Sequence, residues 1–170
     1  MKRPESNEYV QYYDTYISLI DGDSVMSVLD AQLLGFRSLF SNVAEEKGLH
    51  RYAPGKWTCK ESLSHVNETE RIFGYRLLRV SRGDTTPMEG YEQDDYVATS
   101  NANNRTFGDL LNEFEHLRRA NLGLINSLTQ EATIRMGTAS GNPVSARALV
   151  YMIAGHVRHH ERIFAEKYLA

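Results

Sequence analysis

The chain has 170 residues, 41% of them hydrophobic, with 19 Lys and Arg against 22 Asp and Glu, a net charge of −3 and one cysteine. That length suits one domain spanning residues 1–170, able to bury roughly two-thirds of its unfolded surface. The charge balance lacks the basic footprint of a nucleic-acid binder, and the lone Cys59 excludes an internal disulfide and a cysteine-rich zinc site.

Residues Glu8 to Ile20 place Tyr9, Tyr12, Tyr13, Tyr16, Ile17 and Ile20 at helical spacing, which predicts a short extra N-terminal helix whose aromatics cover the rest. Asp21-Gly22-Asp23 interrupts it. From Ser24 the apolar series Val25, Val28, Leu29, Leu33, Phe36, Leu39, Phe40, Val43 predicts a first long helix ending at Lys47-Gly48. A second follows Pro54-Gly55-Lys56-Trp57, with Thr58 as N-cap and Glu61 completing a capping box, and runs to about Val80 before Arg82-Gly83. The third begins at Thr106 and extends through Leu128. The fourth opens at Asn142-Pro143, an N-cap followed by proline, and continues to the C-terminus.

No strand pattern competes with these helices, so an all-α four-helix bundle is expected. About 11 residues join helices one and two, about 25 join two and three, and about 12 join three and four. A connection as long as the middle one crosses the whole bundle, which favours up-down-down-up order.

Three histidines carry the chemical information. On the fourth helix His156 and His160 stand one turn apart, near the centre of an arc with Leu149, Met152, Ile153 and Ile163, and so point inward. His159 lies some 60 to 100° off that centre on the same wheel. Two inward imidazoles need partners, either hydrogen bonds or a metal. On the second helix His65 flanks the arc of Val66, Phe73 and Leu77, beside Thr69, Ile72 and Arg76, a position suited to the wall of a cleft. His65 lies about 10 Å into its helix and the pair about 15 to 21 Å from the chain end, so the three share a depth only if the helices run antiparallel. Three neutral imidazoles would leave an open position on a divalent ion, the pattern of a catalytic rather than a structural site.

Around them, Glu61, Glu68 and Thr69 stand within about a turn of His65 and are candidates to orient it or to accept a proton, against a plain reading as cap, solvated acid and packing residue. Arg76 and Arg79, with Glu92, Asp94 and Asp95 of the crossover, are weighed as lining the mouth of the site, although flanking charges usually serve solubility. Cys59 sits in the first turn of helix two, where the dipole favours a thiolate, but it shares the wheel position of Leu77, which favours packing.

The stretch Pro54 to Glu70, opening Pro54-Gly55-Lys56-Trp57-Thr58 and carrying His65-Val66-Asn67-Glu68, and the ending Ile153-Ala154-Gly155-His156-Val157-Arg158-His159-His160 resemble the two signature regions of the DinB/YfiT-like family. The resemblance spans nearly the whole chain, including the tyrosine-rich start and the Gly90-Tyr91-Glu92-Gln93-Asp94 crossover. It implies an up-down-down-up bundle that binds a divalent metal through His65, His156 and His160. It also implies a range of activities, from small-thiol S-transferases to metal-dependent hydrolases and members without known activity.

The expectation is therefore a metal-dependent enzyme activating a thiol or water for a small-molecule substrate, with a low-molecular-weight thiol transferase favoured and a hydrolase as the alternative. The competing readings are a non-catalytic metal-binding or stress-associated bundle, and a bundle whose histidines are merely hydrogen-bonded. Zn or Ni is expected ahead of Fe or Mn, since the affinity order of the divalents does not decide what a His site holds in a cell. The first residues lack an apolar stretch of signal-peptide length and no run reaches the ~18 residues of a spanning helix, so a cytoplasmic protein without membrane or nucleic-acid partners is expected. The apolar surface of helix one and the tyrosine-rich start leaves a homodimer open, or else a lid over the chain's own bundle.

Overall fold

The computed structural model describes residues 1–169, so only the end of the last predicted segment, Ala170, lies outside the described residues. Two 3-10 turns, Ser6–Glu8 and Gln11–Tyr13, lead into α1 (Asp14–Ile17). The first long helix is α2 (Val25–Gly35), which tightens into the 3-10 turn Phe36–Phe40; another such turn, Glu45–Leu49, precedes α3 (Cys59–Ser81). The crossover holds α4 (Gln93–Thr99) and leads to α5 (Phe107–Asn126). After α6 (Gln130–Thr133), a hairpin of β1 (Met136–Ala139) and β2 (Asn142–Ser145) enters α7 (Ala146–Ile163), which ends in a π-turn, Phe164–Tyr168.

Side-chain caps explain where two of the long helices start, the first of them the predicted Thr58 box. Thr58 Oγ1 accepts from the Glu61 amide at 3.0 Å while Glu61 Oε2 accepts from the Thr58 amide at 2.7 Å, so two amides that the helix cannot satisfy itself are paired. Thr106 Oγ1 does the same for Asp109 N at 3.0 Å. Three expected boundaries differ. The tyrosine segment is broken into short turns, and the first long helix leaves α geometry at Gly35 rather than at Lys47. The fourth helix is capped by Ser145, not by Asn142, because Asn142 and Pro143 belong to the hairpin, where Ser140 and Gly141 take positive φ angles of 51° and 75° at a tight primed turn.

Hydrogen bonds fix the helix directions. Asn67 donates to the Leu110 carbonyl and Asn121 to that of Glu70, so α3 and α5 run parallel. Arg37 meets Glu115 while Gln32 meets Arg118, so α2 and α5 run opposite. At one end of α3 Tyr168 Oη donates to the Trp57 carbonyl, and at the other Arg135 donates to that of Ser81, so α3 and α7 are antiparallel. The order is up-down-down-up, and the segment from Arg82 to Thr106 spans the bundle as expected.

The apolar core falls into two clusters, one built on Leu29, Leu77, Leu149 and Ile153, the other on Phe36, Leu63, Phe114 and Phe164. On each long helix the two sets are separated by polar residues. Gln32, Glu70, Arg118 and His156 all sit at that boundary and all are buried. Arg118 Nε and Nη2 donate to the two Glu70 oxygens at 2.8 and 2.9 Å, its Nη1 donates to Gln32 Oε1 at 2.8 Å, and Gln32 Nε2 donates to the Ala154 carbonyl at 2.8 Å. One polar brace thus ties all four long helices together. Above it α1 lies flush on α7, because a Cβ at Gly155 would come within 2.2 Å of the Tyr16 carbonyl oxygen.

Candidate metal centre

The turn of α3 that follows the Thr58 cap brings Ser62 and His65 onto the face packed against α7, and one turn of α7 presents His156 and His160 to it. The three imidazoles are 4%, 3% and 6% exposed, and one ligand nitrogen from each lies within 4.8 Å of the others. His65 Nε2 stands 3.1 Å from His156 Nε2. Ser62 Oγ lies 3.4 Å from His160 Nδ1, which leaves Nε2 of that ring free to face the cluster. The described residues contain no other group of three or more His, Cys, Asp or Glu arranged to share an ion.

The donor set fits a divalent metal. Nitrogens bound at about 2.0–2.1 Å to one tetrahedral ion stand roughly 3.3 Å apart, close to the separation of the two Nε2 atoms. Among the described residues no carboxylate forms an ion pair with any of the three rings, and His65 Nδ1 is buried without a partner. Burial lowers the affinity of all three for protons: His65 falls to about 4, and His156 and His160 fall well below the usual imidazole value. They are therefore neutral near pH 7, the protonation state a metal requires.

This burial also sets a pH dependence. The folded pKa values lie below the ordinary 6.5, so below that pH the unfolded chain binds more protons than the native one and stability falls as pH is lowered. His65 alone contributes up to about 3 kcal/mol, present above pH 6.5 and lost as the pH falls toward 4. Urea unfolding of metal-free protein from pH 7.5 to 4 is expected to show this loss, and a flat profile would contradict neutral buried rings.

Two cavities open on either side of the cluster, and Tyr12, Tyr16, His65 and Gln93 border both. The larger, about 470 Å³, reaches His160, His159, Ser62, Trp57 and Asp94. The smaller, about 330 Å³, reaches His156, Phe73, Tyr91 and Arg76. The aromatic walls touch the imidazoles directly: the Trp57 ring lies 4.8 Å from His65, and Tyr16 lies 5.2 Å from His156 and 5.6 Å from His159. The tyrosine-rich start thus covers the histidines of its own chain.

The remaining sequence candidates are distributed unevenly. Asp94 lines the larger cavity, and Glu92 and Arg76 line the smaller. Glu61 is committed to the α3 cap and to Asn103 and Arg51; burial pushes its carboxyl up, but these hydrogen bonds outweigh it and hold the group low. Glu68 borders neither cavity; burial raises its pKa, and its contact is the Ser64 hydroxyl at 3.3 Å. Arg79 is paired with Asp84 at 2.6 Å, and Asp95 also lies outside both linings. Cys59 is fully buried in the second core cluster, where desolvation pushes its thiol up to about 12, so it packs rather than reacts.

Sequence reasoning did not single out Ser62, Trp57 or Tyr91 as parts of the site. Ser62 and Trp57 were within reach, since Ser62 precedes His65 by three residues on one helix face. Tyr91 comes from the crossover, where no periodicity points inward.

The family model of the DinB superfamily matches residues 29–163. A solved structure, YfiT from Bacillus subtilis, described as a probable metal-dependent hydrolase with an unusual four-helix bundle topology, is 14% identical and superposes with a TM-score of 0.77 over 96% of this chain and 89% of that one. At that identity the likeness is one of fold. No protein of curated function matches the sequence.

Proposed function

Because this chain belongs to the DinB superfamily, we propose that it is a divalent-metal-dependent enzyme acting on a small molecule, with His65, His156 and His160 as the metal ligands. The observation that carries this reading is the convergence of three buried, neutral imidazoles on one point in the wall of a cavity. The 3.1 Å approach of His65 Nε2 to His156 Nε2, between two rings that burial keeps neutral, supports it, because two ligands of one ion stand about that far apart.

A divalent ion held there would lower the proton affinity of a thiol or water and polarise an electrophile. The chain supplies the rest. Ser62 holds the His160 ring, and Tyr16 and Trp57 shield the rings from bulk water. Asp94, the one carboxylate bordering the larger cavity among the described residues, would take up the proton released by the nucleophile. We favour a small thiol over water as that nucleophile, because aromatic walls suit a bulkier, softer group. The description of YfiT supports the hydrolytic alternative.

Elemental analysis of untagged protein, followed by a panel of thiols with electrophiles and a panel of esters and amides, tests this reading. Stoichiometric metal and turnover that a chelator abolishes are expected, and conjugation rather than hydrolysis identifies the thiol. Undiminished turnover by metal-free protein would refute metal dependence. Metal-loaded protein at background in both panels would refute the enzyme and leave a metal-binding bundle.

No helix among the described residues is long and apolar enough to cross a membrane.

A further inference from the structure

The described residues include two buried arginines, and their surroundings differ in one respect. Arg118, fully enclosed, faces the Glu70 carboxylate through two hydrogen bonds. Arg76, 3% exposed, makes no ion pair among the described residues. Its Nη2 donates at 2.9 Å to the Glu89 carbonyl and at 2.9 Å to Ser140 Oγ, both uncharged oxygens. A guanidinium taken out of water is expensive unless it meets an opposite charge, and two neutral acceptors offset only part of that cost.

The position of this unmatched cation is informative. Arg76 lines the smaller cavity, the one that also reaches His65 and His156. It follows His65 by eleven residues, three helical turns, so both project from one face of α3 at about 16 Å of axial rise. Side chains on a helix lean toward its N-terminus, which brings the guanidinium back toward the histidines. Tyr13, Phe73 and Tyr91 wall the space between them. Arg79, one turn further on, is already neutralised by Asp84, so the missing counter-charge belongs to Arg76.

Taking the histidine cluster as the reactive centre proposed above, we infer that Arg76 is the subsite for a carboxylate of the substrate. The substrate is then an elongated monoanion with an apolar middle, its acid end at Arg76 and its reactive end at His65 and His156. One cation without an ion pair matches one negative charge, and Glu92, which borders the same cavity, adds a repulsion that grows with the ligand's charge and so favours a monoanion over a dianionic phosphate.

The test compares 3-phenylpropionate with its neutral amide by calorimetric titration and thermal shift, on both metal-free and metal-loaded protein. Metal-free protein removes any direct bond between the acid and an ion. The acid is expected to bind it about tenfold or more tighter than the amide, as hydrogen bonds to a charged group do. Arg76→Met is expected to abolish the preference and Arg76→Lys to keep part of it, with inorganic phosphate competing more weakly than the acid. Equal binding of acid and amide, no saturable binding of the acid, or a preference that survives Arg76→Met would overturn the subsite, and tighter phosphate binding would overturn its assignment to a carboxylate. Should Arg76→Met not fold, the wild-type comparison and Arg76→Lys decide. The metal content of the same samples is an independent readout: absence of metal refutes the proposed enzyme while the acid preference of Arg76 still stands or falls alone.

Discussion

Replacing His65 by alanine is expected to lower divalent-metal affinity by more than about 100-fold, since loss of even an indirect contact to a metal ligand costs about 10- to 100-fold. The fold should persist. His65 borders both cavities, so its removal enlarges existing space rather than opening a sealed void, and it relieves a ring held neutral by burial. The difference is read in thermal unfolding. At a metal concentration 100 times Kd, the wild-type protein gains about 2.7 kcal/mol from binding, or on the order of 5–10 °C in Tm for a chain of this size. His65→Ala is expected to lose that increment while its metal-free Tm and circular dichroism stay close to wild type. A variant that keeps the full metal-dependent shift would remove His65 from the ligand set.

The second large effect concerns the brace beneath the histidines. Arg118→Ala leaves the Glu70 carboxylate, with its side chain 1% exposed, facing only Asn121, and strips Gln32 Oε1 of its donor. Breaking one side of a buried pair costs about 3–5 kcal/mol, which corresponds to a Tm lower by on the order of 10 °C. The loss should come from the stranded charge rather than from the missing contacts. Removing both charges, as in Arg118→Met with Glu70→Leu, is therefore expected to recover most of the stability. Urea unfolding of the two variants checks this, and a loss below about 1 kcal/mol for Arg118→Ala would show that the brace is already reached by water.

The long helices were legible because their signals are local. The Thr58 and Glu61 box marks α3 without reference to the rest of the chain, and the 3.6-residue repeat marks the body of α5. The His156 and His160 pair was legible for the same reason, being one turn apart. The hairpin was not. Its strands are four residues each and Pro143 imitates a helix start, so a local rule pointed the wrong way. The early end of α2 escaped because the apolar spacing of Phe36, Leu39 and Phe40 suits a 3-10 turn as well as an α turn. The walls of the site come from four separated segments, at Tyr12 and Tyr16, Trp57, Tyr91, and Tyr168, and only the tertiary fold brings these together. Arg76 showed its place on the face of His65, but its lack of a counter-charge is a property of the space around it.

The flush seating of the Tyr16 carbonyl against Gly155 makes the aromatic ceiling and the His156 and His160 pair parts of one rigid piece. Lifting that ceiling would mean prying a backbone away from the helix that carries the pair. The other wall that both cavities share, at Gln93, is carried by the crossover, a part of the chain outside that rigid piece.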